Sequence, residues 1–390
     1  MRRTREARST DAHARLGRAL AEVQDWPRLR AAAAQHGLAG LLGVQLLALP
    51  EGASDGAAQD GCLPGFERHD WRSLTAAVET RALRMTAVLI KVLAALEDAG
   101  VRALPYKGPA LGQQLYGDPC LRHFVDLDLI VAPQDARRAL DRLDSIGWQT
   151  KQLTAALGSA AYMAAEQELA LHSVRGQFAI ELHWRVGPRF VADSLPAGDL
   201  LRRARPARLL GRPVSMPDAV DAALLVAVHA ATHDWSHLEA VAAMAAALAA
   251  LDDRGWRILV VRASAYGCRR RLGVAAVLAR DLACVPVPAA GAALVDAHTE
   301  RIAARARTHL LAAVERAGDG SPPPRTRRQR AADALWQASA LDTPRAMAFH
   351  VYNRLTTAGA NDWNTQAAAD AGRGWPLPLW LTRQLRLWRR

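Results

Sequence analysis

The sequence predicts an α+β fold in which helix dominates, and three observations carry that expectation. Two short apolar segments, residues 101–106 and 124–131, bracket the run KGPALGQQLYGDPCLRH and read as strands. Residues 168–174 and 177–186 alternate in polarity on either side of Arg175-Gly176, as the arms of a hairpin do. The rest of the chain is rich in Ala, Leu and Arg, and with 51% hydrophobic but only 5% aromatic residues its core is expected to be closely packed helix.

Between residues 10 and 49 the apolar positions recur at helical spacing, with Trp26, Leu29 and the run 38–49 as core contacts. Residues 51–65, rich in Gly, Ala, Ser and Asp, read as a loop. A long helix over 71–98 should bury Leu83, Val88, Leu89, Val92 and Leu96, and Ala99-Gly100 ends it. The strand at 101–106 stops at Lys107-Gly108, and Pro109 opens a helix as far as Leu115 that Gly117-Asp118-Pro119 terminates.

After the strand at 124–131, Pro133, Gln134 and Asp135 start an amphipathic helix closed by Gly147, with a short strand at 148–153. Beyond Gly187-Pro188 the composition becomes helix-forming. Asp218 is the N-cap candidate for a helix through Ala231, and a second helix follows Trp235 to Leu251. The segment GDGSPPPRTRRQR at 318–330 reads as a linker, because its three prolines are incompatible with regular helix. The expected organisation is therefore an N-terminal helical region (1–79), a strand-bearing core (80–190), a helical domain (191–317), the linker, and a helical tail (331–390). That tail ends WPLPLWLTRQLRLWRR, which reads as a terminal helix packed on the core with snorkelling arginines, or as a surface for anionic membrane or peptide.

A chain of 390 residues exceeds the usual single domain. Its net charge of +12 suits an anionic partner such as a nucleotide, but the arginines are scattered, which makes direct nucleic-acid binding the less favoured reading. Cys62, Cys120, Cys268 and Cys284 lack CxxC spacing, which argues against a zinc site and against a disulfide framework. The basic N-terminus is followed by no signal-like apolar core. The longest apolar runs, 219–231 and 240–251, fall short of the ~20 residues of a membrane span, so a soluble cytoplasmic protein is expected.

The chemistry concentrates around residues 101–131. Asp126 and Asp128 stand two apart in the expected strand, so both carboxylates should leave one face of the sheet. Two like charges side by side call for a cation, and Mg²⁺ prefers carboxylate and phosphate oxygens together. Lys107 is one of only three lysines among 50 basic residues, in a glycine-containing turn where the free N–H groups of a starting helix attract anions. Gly108 lets the backbone approach a ligand closely. In the second hairpin arm, Glu181 and His183 share one face and Ile180, Leu182 and Trp184 the other. Neither GxxxxGK[ST] nor GxGxxG occurs.

The pattern KGPALGQQLYGDPCLRHFVDLDLIV, followed by IELHWRV and then HAATHDWSHL, resembles the uncharacterised nucleotidyltransferase family of the polymerase β-like superfamily, found in lasso peptide and other bacterial biosynthetic clusters. The resemblance implies a small mixed sheet backed by helices and transfer of a nucleotidyl or phosphoryl group from a nucleoside triphosphate. It implies three metal-binding carboxylates, here Asp126, Asp128 and Glu181, the last standing where the family more often has aspartate. Mg²⁺ is the expected ion, with Mn²⁺ as its substitute.

On this basis Lys107 and the Gly108 amide are expected to hold the outgoing pyrophosphate. Arg122 matches an arginine of the pattern, and would bind a phosphate or neutralise the aspartates. His183 is a candidate for orienting Glu181 or touching substrate, with a hydrogen-bonded structural role as the alternative. His229 and His233 fall at i and i+4 of a helix and would wall the nucleotide cleft or brace the helical part against the sheet. An acid common in the family's next helix corresponds here to Ala243. The acceptor is expected to be a small molecule or a peptide. A kinase using the same carboxylates, or a non-catalytic nucleotide-binding scaffold, are the other readings.

Overall fold

The computed structural model describes residues 15–50, 62–150, 157, 163, 166–187, 195–317, 335–336 and 338–348. The expected linker at 318–330, the tail from 349 onward and most of the loop at 51–65 lie outside the described residues.

Helix α1 (Trp26–Gln35) is capped by Asp25, which accepts from the Arg28 amide at 2.9 Å, and α2 (Ala39–Leu47) follows. Helix α3 (Gly65–Asp98) begins earlier than the apolar pattern indicated. Its buried stripe is Ala82, Met85, Leu89, Val92 and Leu96, at helical spacing; Leu83 falls between these positions and is exposed, contrary to expectation.

Strand β1 (Ala103–Pro105) leads into α4 (Gly108–Tyr116), which Gly117 ends in the left-handed conformation. Strand β2 (Leu127–Val131) is shorter than the segment expected at 124–131, so Asp126 stands just before the sheet rather than in it. A 3₁₀ turn at Pro133–Asp135 then opens α5 (Ala136–Ser145). Strands β3 (Trp148–Gln149), β4 (Glu168–Ser173) and β5 (Ala179–His183) complete a mixed sheet of order β1-β2-β5-β4-β3, in which only the β2–β5 pairing is parallel.

The sheet has two differently occupied faces because strand side chains alternate. Leu127, Leu129 and Val131 pack with Leu89 and Leu96 of α3 and Leu143 of α5. Ile130 joins Leu104 against a second core built from the helical part: α6 (Ala197–Arg203), α7 (Ala219–Thr232), α8 (Leu238–Ala249), α9 (Asp253–Ala265) and α10 (Arg269–Ala283). Asp128 shares the face of Ile130. Helix α11 (Ala297–Glu315) packs on α10 from outside.

The strand expected over 177–186 is broken at Trp184, and its end, β6 (Arg185–Val186), pairs with β7 (Leu195–Pro196) in an antiparallel ribbon; a second ribbon joins β8 (Arg205–Leu209) to β9 (Arg212–Met216), and the Ala, Leu and Arg composition of the helical part did not reveal β7, β8 and β9.

Helix α7 is the central one, apolar almost all round and buried along most of its length. Asp218 is its N-cap as expected, accepting from the Asp221 amide at 2.7 Å. Asp221 is fully buried, and its charge is compensated by Arg203 and Arg262, each 2.8 Å from one carboxylate oxygen. Gly273 of α10 lies so close to the Leu294 carbonyl that an added Cβ would sit 2.3 Å from its oxygen. Gly273→Ala is therefore expected to force backbone apart and destabilise the fold by about 1–3 kcal/mol, read from the denaturant midpoint. Among the described residues no helix is long and apolar enough to cross a membrane.

Candidate functional site

The site is assembled where β1, β2, β4 and β5 come together. Lys107 precedes α4, and Gly108 has a φ of +56°, a conformation that glycine adopts without steric cost. A Cβ at Gly108 would have room, 3.6 Å from the Asp126 carbonyl oxygen, so the demand for glycine there is conformational. This turn directs the Lys107 ammonium onto Asp128, with Nζ 2.6 Å from Oδ1.

Strand register supplies the rest. Parallel pairing sets Asp128 beside Glu181 and Ile130 beside His183, while the β4–β5 pairing sets Glu168 opposite His183. The His183 ring lies among all three acids: Nε2 is 3.1 Å from Asp128 Oδ1 and 3.4 Å from Glu181 Oε2, and Nδ1 is 3.2 Å from Glu168 Oε2. The Tyr106 hydroxyl is 3.3 Å from His183 Nε2, and the two rings meet edge to face. One ligand atom from each of Asp128, Glu181 and His183 can be chosen so that all lie within 4.8 Å of one another. Asp128 is 2% exposed, and its Oδ2 is buried with no hydrogen-bond partner, which leaves an anionic oxygen fitted to a cation.

Burial alone would raise the Asp128 pKa, but the Lys107 charge and the His183 hydrogen bond outweigh it and hold the carboxyl well below its ordinary value. At Asp126 burial and the charges of Asp128 and Glu181 outweigh the Lys107 charge and push the carboxyl up to about 6. Burial would lower His183, yet its hydrogen bonds to Asp128 and Glu181 prevail and raise it to about 9. Burial raises Glu168 as well, against the attraction of His183. Tyr106 is raised far above its usual range by burial and then by the Asp128 charge, so it stays a neutral phenol.

These groups line a cleft of about 680 Å³, within the range of small-molecule sites. Its opposite wall carries His229 near the end of α7 and His233 just beyond it, with ring centroids 4.6 Å apart. Burial, followed by the Lys107 charge, lowers both imidazoles, so they are neutral. Asp126 and Arg122 also line the cleft.

The sequence pattern of a family described as uncharacterised nucleotidyltransferase matches residues 22–283, from before α1 to the last residue of α10. The chain belongs to that family. A solution structure of the antibiotic-resistance factor ANT(2'')-Ia aligns over 47% of this chain and 93% of its own, with 15% identity and a TM-score of 0.36. No match was found among curated proteins.

In this nucleotidyltransferase-family chain the structure gathers Lys107, Gly108, Asp126, Asp128, Glu181, His183, His229 and His233 about one cleft or its rim. Arg122 lines the cleft too, and its partner in this structure is an acid from the helical part. It pairs with neither aspartate, and Asp128 is met instead by Lys107 and His183; Arg122 is 7% exposed and pairs with Glu239 of α8. Nε and Oε1 are 2.7 Å apart, at an angle that makes no hydrogen bond, while Nη2 donates to Oε2 at 3.2 Å.

Three cleft residues escaped the sequence reading. Glu239, in the first turn of α8, lines the cleft and pairs with Arg122. Glu168 opens the first hairpin arm, and extending the hairpin register back from Arg175-Gly176 would have set it opposite His183. Tyr106 read only as the end of an apolar strand.

Proposed function

We propose that this protein is a divalent-cation-dependent nucleotidyltransferase that moves a nucleoside monophosphate from a nucleoside triphosphate to a small-molecule or peptide acceptor in a biosynthetic pathway. The observation that carries this reading is Asp128: ionised, buried, with one oxygen unpartnered, and set between Glu181 and the lysine at the start of α4.

Asp126, Asp128 and Glu181 would hold Mg²⁺ on the triphosphate, and the ion when bound supplies Lewis-acid neutralisation of the phosphate oxygens. Lys107, released from Asp128, turns to the outgoing pyrophosphate, which the first-turn amides of α4 also face. Glu181 takes the proton of the attacking acceptor hydroxyl. The acceptor oxygen bonds to the α-phosphorus, the bond from that phosphorus to the bridging oxygen breaks, and pyrophosphate leaves with the electron pair. The neutral His229 and His233 rings wall the nucleotide, and Arg122, held by Glu239, presents its charge beside it.

Titration of the protein with each of the four nucleoside triphosphates, with and without Mg²⁺, tests this assignment. Binding that requires the ion supports it, and equal binding with and without the ion contradicts it. Because Asp126 must lose its proton to bind a cation, Mg²⁺ affinity is expected to rise with pH between 5 and 7, by about tenfold per unit below the Asp126 pKa of about 6. Calorimetry across that range reads the slope.

A further inference from the structure

The family pattern ends at residue 283, yet two residues of the cleft wall, Ala340 and Leu341, come from beyond it. We propose that the segment described at 335–336 and 338–342 is a strap that completes the cleft, with Trp336 as the positioning residue for His233, so that nucleotide affinity depends on the strap. The inference rests on the reading of the cleft as a nucleotide site, and it adds a part of the chain that the family pattern does not include.

The strap is fastened at three places. Cys268 at the start of α10 makes no side-chain cap, and Asp342 supplies one from outside the helix, accepting from the Arg269 and Arg270 amides at 2.8 Å each. The Arg270 guanidinium donates to the Ser339 and Leu341 carbonyls, and His298 of α11 donates to the same Ser339 carbonyl at 3.2 Å. The buried Trp336 ring stacks on His309 with centroids 6.1 Å apart, and the Arg305 guanidinium lies 5.5 Å from its centre. These contacts hold Ala340 in one apolar cluster with Ala230 and Ala231, at the end of α7 beside the cleft.

Trp336 also reaches the wall of the cleft indirectly. It packs on the buried Trp235, with ring centroids 5.7 Å apart at 68°. Trp235 stands two residues after His233, which ends α7, and the turn between them is unusual: Asp234 and Trp235 have φ of +56° and +47°. Two consecutive non-glycine residues in the left-handed region persist only where packing over-determines them. The Trp235–Trp336 contact supplies such packing, and the turn it holds sets the direction in which His233 leaves the helix end. Without Trp336 the turn can relax and carry His233 away from the wall.

A strap that only caps α10 and stabilises the fold is the competing account, and the test separates the two.

The full chain would be studied by hydrogen exchange with and without Mg²⁺ and each of the four nucleoside triphosphates. Saturation with a triphosphate that binds is expected to slow exchange of the amides at 338–348 by about tenfold, because coupling between two sites is reciprocal. Trp336→Ala and Asp342→Ala should each weaken that triphosphate by about tenfold, and Trp336→Phe, which keeps an aromatic face on Trp235, should restore most of the loss. Asp342→Ala leaves the apolar contacts of Trp336 in place, so it serves if Trp336→Ala does not fold. In the ligand-free protein the His233 ring resonances should move in Trp336→Ala while those of His183, across the cleft, stay; loss of stability alone would not confine the change to one wall. Unchanged affinity in both variants, unchanged exchange on binding, or unmoved His233 resonances would each overturn the proposal.

Failure here is distinguishable from failure of the transferase reading. Tight triphosphate binding indifferent to both strap variants would discard the strap alone. A wild-type chain that binds no triphosphate would discard the nucleotide reading and, with it, the dependence proposed here.

Discussion

Asp128→Asn is expected to reduce metal-dependent turnover of a nucleoside triphosphate by about a thousandfold, which corresponds to about 4 kcal/mol of transition-state stabilisation. Asparagine matches the shape of the side chain but removes the charge on which the cation, Lys107 and His183 converge. One of the two carboxylate oxygens becomes an NH₂ group, which cannot ligate a cation, in a side chain whose Oδ2 is buried without a hydrogen-bond partner. The His183 pKa, raised to about 9 by Asp128 and Glu181 against its burial, should fall in the same variant. Nuclear magnetic resonance titration of that ring checks that the variant is folded and that the charge has gone. Full activity with a lowered His183 pKa would remove Asp128 from the mechanism.

Arg122→Ala is expected to have the largest effect on stability, about 3–5 kcal/mol, because it leaves the Glu239 carboxylate in a nearly closed site without its partner. The pair ties the connection between α4 and β2 to α8, so its loss loosens the wall of the cleft. Replacing both partners with apolar side chains, as in Arg122→Met with Glu239→Leu, should recover most of the loss, since a buried ion pair contributes little beyond what packing can supply. Chemical denaturation measures both variants. Nucleotide binding by the double variant then separates the two tasks of Arg122: a phosphate-binding role predicts weakened affinity even with stability restored.

The parts of the site that were legible in the sequence share a local cause. Asp128, Glu181 and His183 lie in strands whose alternation with Leu127, Leu129, Ile180 and Leu182 is visible in eight contiguous residues or fewer, and alternation alone assigns their faces. The Lys107-Gly108-Pro109 turn was legible for the same reason, because each residue type has a local conformational meaning there.

The pieces that were missed depend on register and on long-range pairing. Whether the strand began at Phe124 or Leu127 turned on hydrogen bonding to β5, which no local pattern encodes, and this displaced Asp126 from the sheet. The partner of Arg122 is 117 positions away in sequence, and nothing in either local stretch names it. Glu239 stands in the first turn of a helix, where an acid is ordinary for the helix dipole, so its local setting does not mark it as a cleft residue. Strands β7, β8 and β9 have two to five residues, too short for periodicity to show.

Which phosphorus is attacked is read most directly by following the two ends of one triphosphate. The protein would be incubated with Mg²⁺ and nucleoside triphosphate labelled at either the α- or the γ-phosphorus, with water or a supplied hydroxyl compound as acceptor. Nucleotidyl transfer predicts that the α-label appears in the monophosphate product and the γ-label in pyrophosphate, both lost in Asp128→Asn. A γ-label recovered in orthophosphate or in the acceptor, with the α-label retained in diphosphate, would contradict it.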